Sequence, residues 1–150
     1  MLAHAERYCT SQDERLTPIR RDLLRVLSSA EAPLGAYDIA GRLSELRQRR
    51  TTPVAAYRGL EFLSRVGLVT RLESQNAFVL CAHPDRPHDC VFLLCGTCGE
   101  VKEILDDRLS DLLEQRAKEA GFATKRRVIE IHGMCKSCRT DEAGAREASR

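Results

Sequence analysis

Two cysteine pairs of identical spacing, Cys95-Gly-Thr-Cys98 and Cys135-Lys-Ser-Cys138, stand about thirty-five residues apart in this chain. A two-residue spacer lets both sulfurs of a pair face one ion, and two pairs supply the four corners of a tetrahedron. Zinc imposes no geometry of its own and takes four thiolates in that arrangement, while soft sulfur disfavours hard cations. Glycine follows Cys98 and precedes Met134, as tight turns around a metal require. A thioredoxin-like redox motif accounts for one pair and gives no reason for the second. Cys95, Cys98, Cys135 and Cys138 are therefore read as a structural zinc cage that closes the C-terminal part of the chain as a unit.

A chain of 150 residues can form one domain or two small ones, and a module below about seventy residues commonly needs a metal staple. No apolar run is long enough to span a bilayer, and the opening Met-Leu-Ala-His-Ala-Glu-Arg lacks the apolar centre of a signal peptide. Seven cysteines are an odd number, which together with the paired motifs favours a reducing compartment over a disulfide framework. The expectation is a cytoplasmic protein with no membrane partner. Charge is uneven: residues 1–82 hold 12 arginines, no lysine and 9 acids, for +3, and the remainder carries −1. Arginine's planar fork suits both phosphate and guanine, so this half leans toward nucleic acid, with a solvated mixed-charge surface as the plain alternative.

Periodicity organises the first half. After a short helix from Leu2 to about Cys9, Thr17-Pro18 reads as a cap and first helical residue, followed by Ile19, Leu23, Leu24 and Leu27 at helical spacing. A second helix is expected from Ala36 to Leu46, with Ile39, Leu43 and Leu46 on its buried stripe, after a turn punctuated by Pro33 and Gly35. A third begins at Thr52-Pro53 and stops at Gly67. It should bury Ala56, Leu60 and Leu63 and leave Tyr57, Arg58, Glu61 and Arg65 together on another side. Two extended runs, 68–72 and 77–81, flank Ser74-Gln75-Asn76. Three helices and a hairpin in this order describe a winged helix-turn-helix whose recognition helix starts at Pro53.

The expected fold class is thus α+β, with an N-terminal winged helix-turn-helix at residues 1–81 and a two-proline linker at 82–87. A zinc-stapled α+β dimerisation domain follows at 88–139, then a disordered tail at 140–150. In the second domain, strands at 91–94, 101–105 and 127–132 surround a helix from Asp106 to Ala120. Its apolar residues Leu109, Leu112 and Leu113 and an open sheet edge suit pairing with a second copy. No nucleophile elbow, phosphate-cradling glycine loop or His-Glu-x-x-His helix is present, so no enzyme activity is expected.

Several signatures now fall in one order: Arg15-Leu16-Thr17-Pro18-x-Arg20, Tyr57-Arg58-x-Leu60-x-Phe62-Leu63-x-x-x-Gly67-Leu68-Val69, Cys95-x-x-Cys98-Gly99 and His132-Gly133-x-Cys135-x-x-Cys138. Across residues 5–138 the chain resembles the ferric uptake regulator superfamily of metal-sensing repressors. Val79-Leu80-Cys81, Val101-Lys102-Glu103 and Val128-Ile129-Glu130-x-His132-Gly133 resemble its zinc uptake regulator branch. The resemblance implies a homodimer that binds double-stranded operator DNA when metal-loaded and represses zinc uptake genes. It also implies sensory zinc ligands at Cys81, His88 and Glu103, with the fourth position open between His83 and Cys90, and so two zinc ions per subunit.

Two departures stand out. The family's Pro-Thr-Val-Tyr-Arg is Val54-Ala55-Ala56-Tyr57-Arg58 here, and a wing-adjacent histidine falls on Thr70. The hydroxyl lost at Ala55 has Thr51 or Thr52 as a substitute. Sulfur at Cys81 beside imidazole favours zinc over iron or manganese. For DNA, Tyr57 and Arg58 are the candidate base contacts, with Arg15, Arg20, Arg65 and Thr52 on phosphate. The rival readings are an iron, manganese or peroxide sensor of the same superfamily and, from another class, a zinc-stapled thiol oxidoreductase using Cys81 and Cys90.

Overall fold

The computed structural model describes residues 2–84, 90–124 and 127–140. The chain divides into two compact units, Met1–Pro87 and His88–Arg150. Of the sequence expectations, His88, the end of the linker from Asp85 onward and the tail beyond Thr140 lie outside the described residues.

In the first unit the order is α1 (Leu2–Ser11), α2 (Pro18–Ser28), β1 (Leu34–Gly35), α3 (Ala36–Arg47), α4 (Pro53–Arg65), β2 (Val69–Leu72) and β3 (Ala77–Leu80). Proline at the first position starts α2 and α4, where a missing N–H costs nothing. Thr52 caps α4, its Oγ1 accepting from the Ala55 N–H at 3.3 Å. The far end of α4 closes with Gly67 at φ +76°, the Gly67 N–H reaching Ser64 O at 3.2 Å and the Leu68 N–H reaching Leu63 O at 2.8 Å. That closure satisfies the last carbonyls and turns the chain straight into the wing. Gly59 lets α4 approach α2, since a Cβ there would overlap the Leu23 side chain. Leu23, Ile39, Leu43, Leu60 and Leu63 form the fully buried centre of the three-helix core.

Two details depart from the sequence reading. Leu46 is half exposed (50%), because the inward stripe of α3 runs through Ala36, Ile39, Ala40 and Leu43 and continues at Arg47. That guanidinium pairs with Asp22 at 3.1 Å and takes the inward place Leu46 was expected to fill. The turn at Leu34–Gly35 forms a two-residue strand, pairing Leu34 with Phe78 and Gly35 with Ala77, so the wing is a three-stranded sheet in the order β1-β3-β2.

The second unit contains β4 (Cys90–Cys95), β5 (Val101–Ile104), α5 (Asp107–Glu119) and β6 (Val128–Gly133), with sheet order β5-β4-β6. Asp106 caps α5 by accepting from Arg108 N–H (2.9 Å) and Leu109 N–H (3.3 Å). β4 extends past the expected 91–94 to include Cys90 and Cys95, and β6 lies one residue later than expected. Only Cys90, Val91, Phe92, Leu94 and Cys95 are buried among the described residues of this unit, and none on α5. Leu93, Leu112, Phe122 and Ile131 are exposed. So small a core is what a metal staple and a partner surface would complete.

Candidate metal centre and nucleic-acid interface

β4 and β6 are parallel, so their C-terminal ends emerge side by side, with Cys95 opposite Gly133. This pairing unites two cysteine pairs far apart in sequence. The Gly96 N–H donates to Gly133 O at 2.9 Å, and the first turn closes through Cys95 N–H to Glu100 O (2.9 Å) and Gly99 N–H to Cys95 O (3.0 Å). Gly99 adopts φ +76°, where a side chain would be strained. The result is that the Sγ atoms of Cys95, Cys98, Cys135 and Cys138 all lie within 4.8 Å of one another. Zinc–sulfur bonds of about 2.3 Å place tetrahedral sulfurs about 3.8 Å apart, and Cys98 Sγ lies 3.7 Å from Cys135 Sγ.

The donor chemistry fits the same ion. Backbone N–H groups of Cys135, Cys98 and Thr97 draw the Cys95 thiol down to about 6, the first of them at 3.3 Å from its sulfur. Cys138 is pushed above the ordinary thiol range by its hydrogen bonds with Cys135 and Cys98. For Cys135, the Cys138 N–H favours the thiolate, but Glu100, desolvation and Cys98 outweigh it and raise the thiol. A divalent cation held here would supply the positive charge that favours thiolate at the four sulfurs.

The other candidate ligands are divided between the units. Cys81 follows β3 and is buried, its N–H donating to Leu68 O at 3.1 Å; His83 is exposed. Cys90 is buried inside β4, opposite Val128, and half-buried Glu103 lies on β5 opposite Phe92. Among the described residues the cysteine cage is the one grouping of three or more metal-type ligands. Thr70 is buried within the wing.

On the first unit, α4 has two faces. Ala56, Gly59, Leu60, Phe62 and Leu63 are buried, while Val54, Arg58, Glu61 and Arg65 are exposed at successive intervals of four, three and four residues, a single stripe. Tyr57, expected on that stripe, lies at its edge, about 40° from Glu61 and about 100° from Arg58. Its half-buried ring stands edge-on to Phe78 of the wing, with centroids 6.3 Å apart.

Arg20 and Arg65 converge on Phe62, their guanidinium carbons 3.1 and 5.1 Å from its ring centre. Arg20 also donates to Arg15 O at 2.6 Å, and Arg65 pairs with Glu14 at 2.6 Å. Arg15 and Thr52 are exposed. Two apolar residues missed from sequence are displayed here, Tyr37 at the start of α3 (75% exposed) and Val54 in the first turn of α4 (61%). Val54 stands ahead of the inward stripe of α4, and Tyr37 falls between the inward residues Ala36 and Ile39 of α3.

Comparison with known proteins places this chain in a lineage. The signature of the ferric uptake regulator family matches residues 11–132. The zinc uptake regulation protein of Escherichia coli (strain K12) is 38% identical over 144 residues, covering 95% of this chain and 84% of that protein. A zinc uptake regulator solved in complex with zinc and DNA superposes with a TM-score of 0.87 at 38% identity, covering 95% of both chains. The holo form of the regulator XcZur gives 0.81 at 38% identity, covering 93% of this chain and 96% of that one.

Proposed function

The chain belongs to the ferric uptake regulator family, and from that footing we propose that it is a zinc-responsive transcriptional repressor acting as a homodimer on operator DNA at zinc uptake genes. The observation that carries this reading is its likeness, along nearly the whole chain, to a zinc uptake regulator bound to zinc and DNA. Its relatives are regulators rather than enzymes, which removes the thiol oxidoreductase alternative. Among the described residues no helix is long and apolar enough to cross a membrane.

Each subunit holds two zinc ions in this account. The Cys95, Cys98, Cys135 and Cys138 cage is structural and closes the dimerisation unit. Cys81, His88 and Glu103, with His83 or Cys90 completing the set, take the sensory ion. Their mixed sulfur, imidazole and carboxylate character suits zinc and disfavours the harder iron and manganese. Cys81 ends the winged-helix domain at residues 1–81, while His88 and Glu103 belong to the dimerisation domain at 88–139. Residues from both sides of the 82–87 linker thereby restrict the reading heads to the spacing that two half-sites demand. A hundredfold gain in operator affinity requires about 2.7 kcal/mol of coupling, well within the capacity of one zinc site.

At the DNA, Arg58 on the outward stripe reads a guanine edge. Arg15, Arg20 and Arg65 hold phosphate, and the Thr52 hydroxyl, which accepts from the helix, donates its hydrogen outward. Tyr57, braced against Phe78, joins the recognition helix to the wing and offers its hydroxyl to the backbone of the duplex. Titration of binding to a palindromic A·T-rich duplex against zinc, iron and manganese tests the reading, with zinc expected to be the effective ion. Cys81→Ser should retain the cage zinc and lose zinc-dependent binding. Wild-type zinc dependence in that variant refutes the sensory assignment.

A further inference from the structure

An aliphatic side chain on the outside of a recognition helix needs a reason. Val54 is 61% exposed, although β-branched residues carry no helix-forming advantage that would recommend one for a solvated first turn. It heads the stripe continued by Arg58, Glu61 and Arg65. The opposite face of α4 is filled by Ala56, Leu60 and Leu63, so Val54 contributes nothing to the three-helix core.

We infer that Val54 is a specificity residue that recognises thymine by packing its isopropyl group against the base's C5-methyl. This rests on the repressor reading above and deepens it. Three observations converge on one occupant. The N-terminal turn of a recognition helix is the part that reaches base edges in the major groove. Thymine alone among the four bases presents a methyl group there, and apolar side chains are its partners. Val54 also lies four residues from Arg58, on the same face and about 6 Å away along the helix, a distance close to two base steps of about 3.4 Å. The pair then reads a thymine and a guanine within about two steps of each other, the methyl by contact and the guanine by the guanidinium fork.

Uracil substitution isolates the methyl, because it removes that group and leaves every hydrogen-bonding edge intact. A duplex enriched from a random library by the zinc-loaded full-length dimer is the probe, with each thymine replaced singly by uracil. Wild-type protein should lose roughly fourfold in affinity at one thymine in each half-site, the worth of one buried methyl. Val54→Ala should lose the same factor on the thymine probe and become indifferent to uracil at that position. Unchanged zinc content and melting temperature exclude misfolding of this surface variant.

Equal wild-type affinity for every uracil probe, or undiminished discrimination in Val54→Ala, overturns the assignment while the repressor reading stands. Failure of the zinc-loaded dimer to enrich any sequence overturns the repressor reading and this assignment with it.

Discussion

Replacing Cys135 by serine removes one corner of the cage while changing a single atom. Cys135 Sγ lies 3.7 Å from Cys98 Sγ, and its backbone N–H sustains the Cys95 thiolate at 3.3 Å. Serine keeps that N–H, so the perturbation is confined to the donor: a neutral, hard hydroxyl in a soft site. Structural zinc sites contribute roughly 10–16 kcal/mol of apparent binding energy, or about 3 kcal/mol per ligand when divided over four. That is on the order of a hundredfold loss in zinc affinity at the cage.

The dimerisation unit has little to absorb it, with only Cys90, Val91, Phe92, Leu94 and Cys95 buried among its described residues. For a unit of this size 1 kcal/mol shifts the melting temperature by about 4–8 °C, so its transition should fall by at least about 12 °C. Metal analysis after gentle dialysis, together with calorimetry, reads both quantities. Full zinc retention with an unchanged melting temperature refutes the reasoning that the cage holds this unit closed.

Four further outcomes follow from the structure. Gly59→Val should destabilise the first unit by about 1–3 kcal/mol, because a side chain there collides with Leu23 between α4 and α2; denaturant titration of the full chain measures it. Arg58→Ala should relax sequence preference by about 1–3 kcal/mol at one base position. Arg15→Ala should instead weaken all duplexes alike and reduce the salt slope by about one, so binding across sequences and salt concentrations separates the two roles. Glu114 accepts from Thr124 at 2.8 Å and pairs with Lys118 at 3.3 Å and Arg127 at 2.9 Å, which holds its carboxyl below the ordinary range, Thr124 contributing most. A depressed folded-state value gives stability that is present above the ordinary carboxylate pKa and is lost as pH falls through the folded value. The melting advantage of wild type over Glu114→Gln should therefore shrink on acidification, and an advantage independent of pH contradicts the assignment.

What could be read from the sequence was whatever depended on local spacing. The cage was legible because each pair fixes its own sulfurs, and α4 because cap, proline, inward period and terminal glycine agree over one short stretch. The start of α5 was legible at Asp106-Asp107, and the structure puts the cap on Asp106. What escaped depends on partners distant in the chain. Leu46 obeyed the helical period, yet Arg47 took the inward place because Asp22 on another helix awaited its charge. The strand at Leu34–Gly35 exists only because β3 offers an edge to it.

Tyr57 and Arg58 are adjacent letters, and only the position of Phe78 in the wing separates an anchored ring from an outward guanidinium. The parallel alignment of β4 with β6, which brings the two pairs of cysteines together, has no local signature at all. Val54 had no role assigned from the sequence, and only its exposure shows that the core does not use it.

The central claim is that a second zinc, shared by residues on the two sides of the linker, is what permits tight operator binding. Its most direct test compares the affinity of protein carrying one zinc per chain, with the cysteine cage filled, against protein carrying two, on the same palindromic duplex at the same salt. The account predicts about a hundredfold tighter binding by the two-zinc form; equal affinity of the two forms contradicts it.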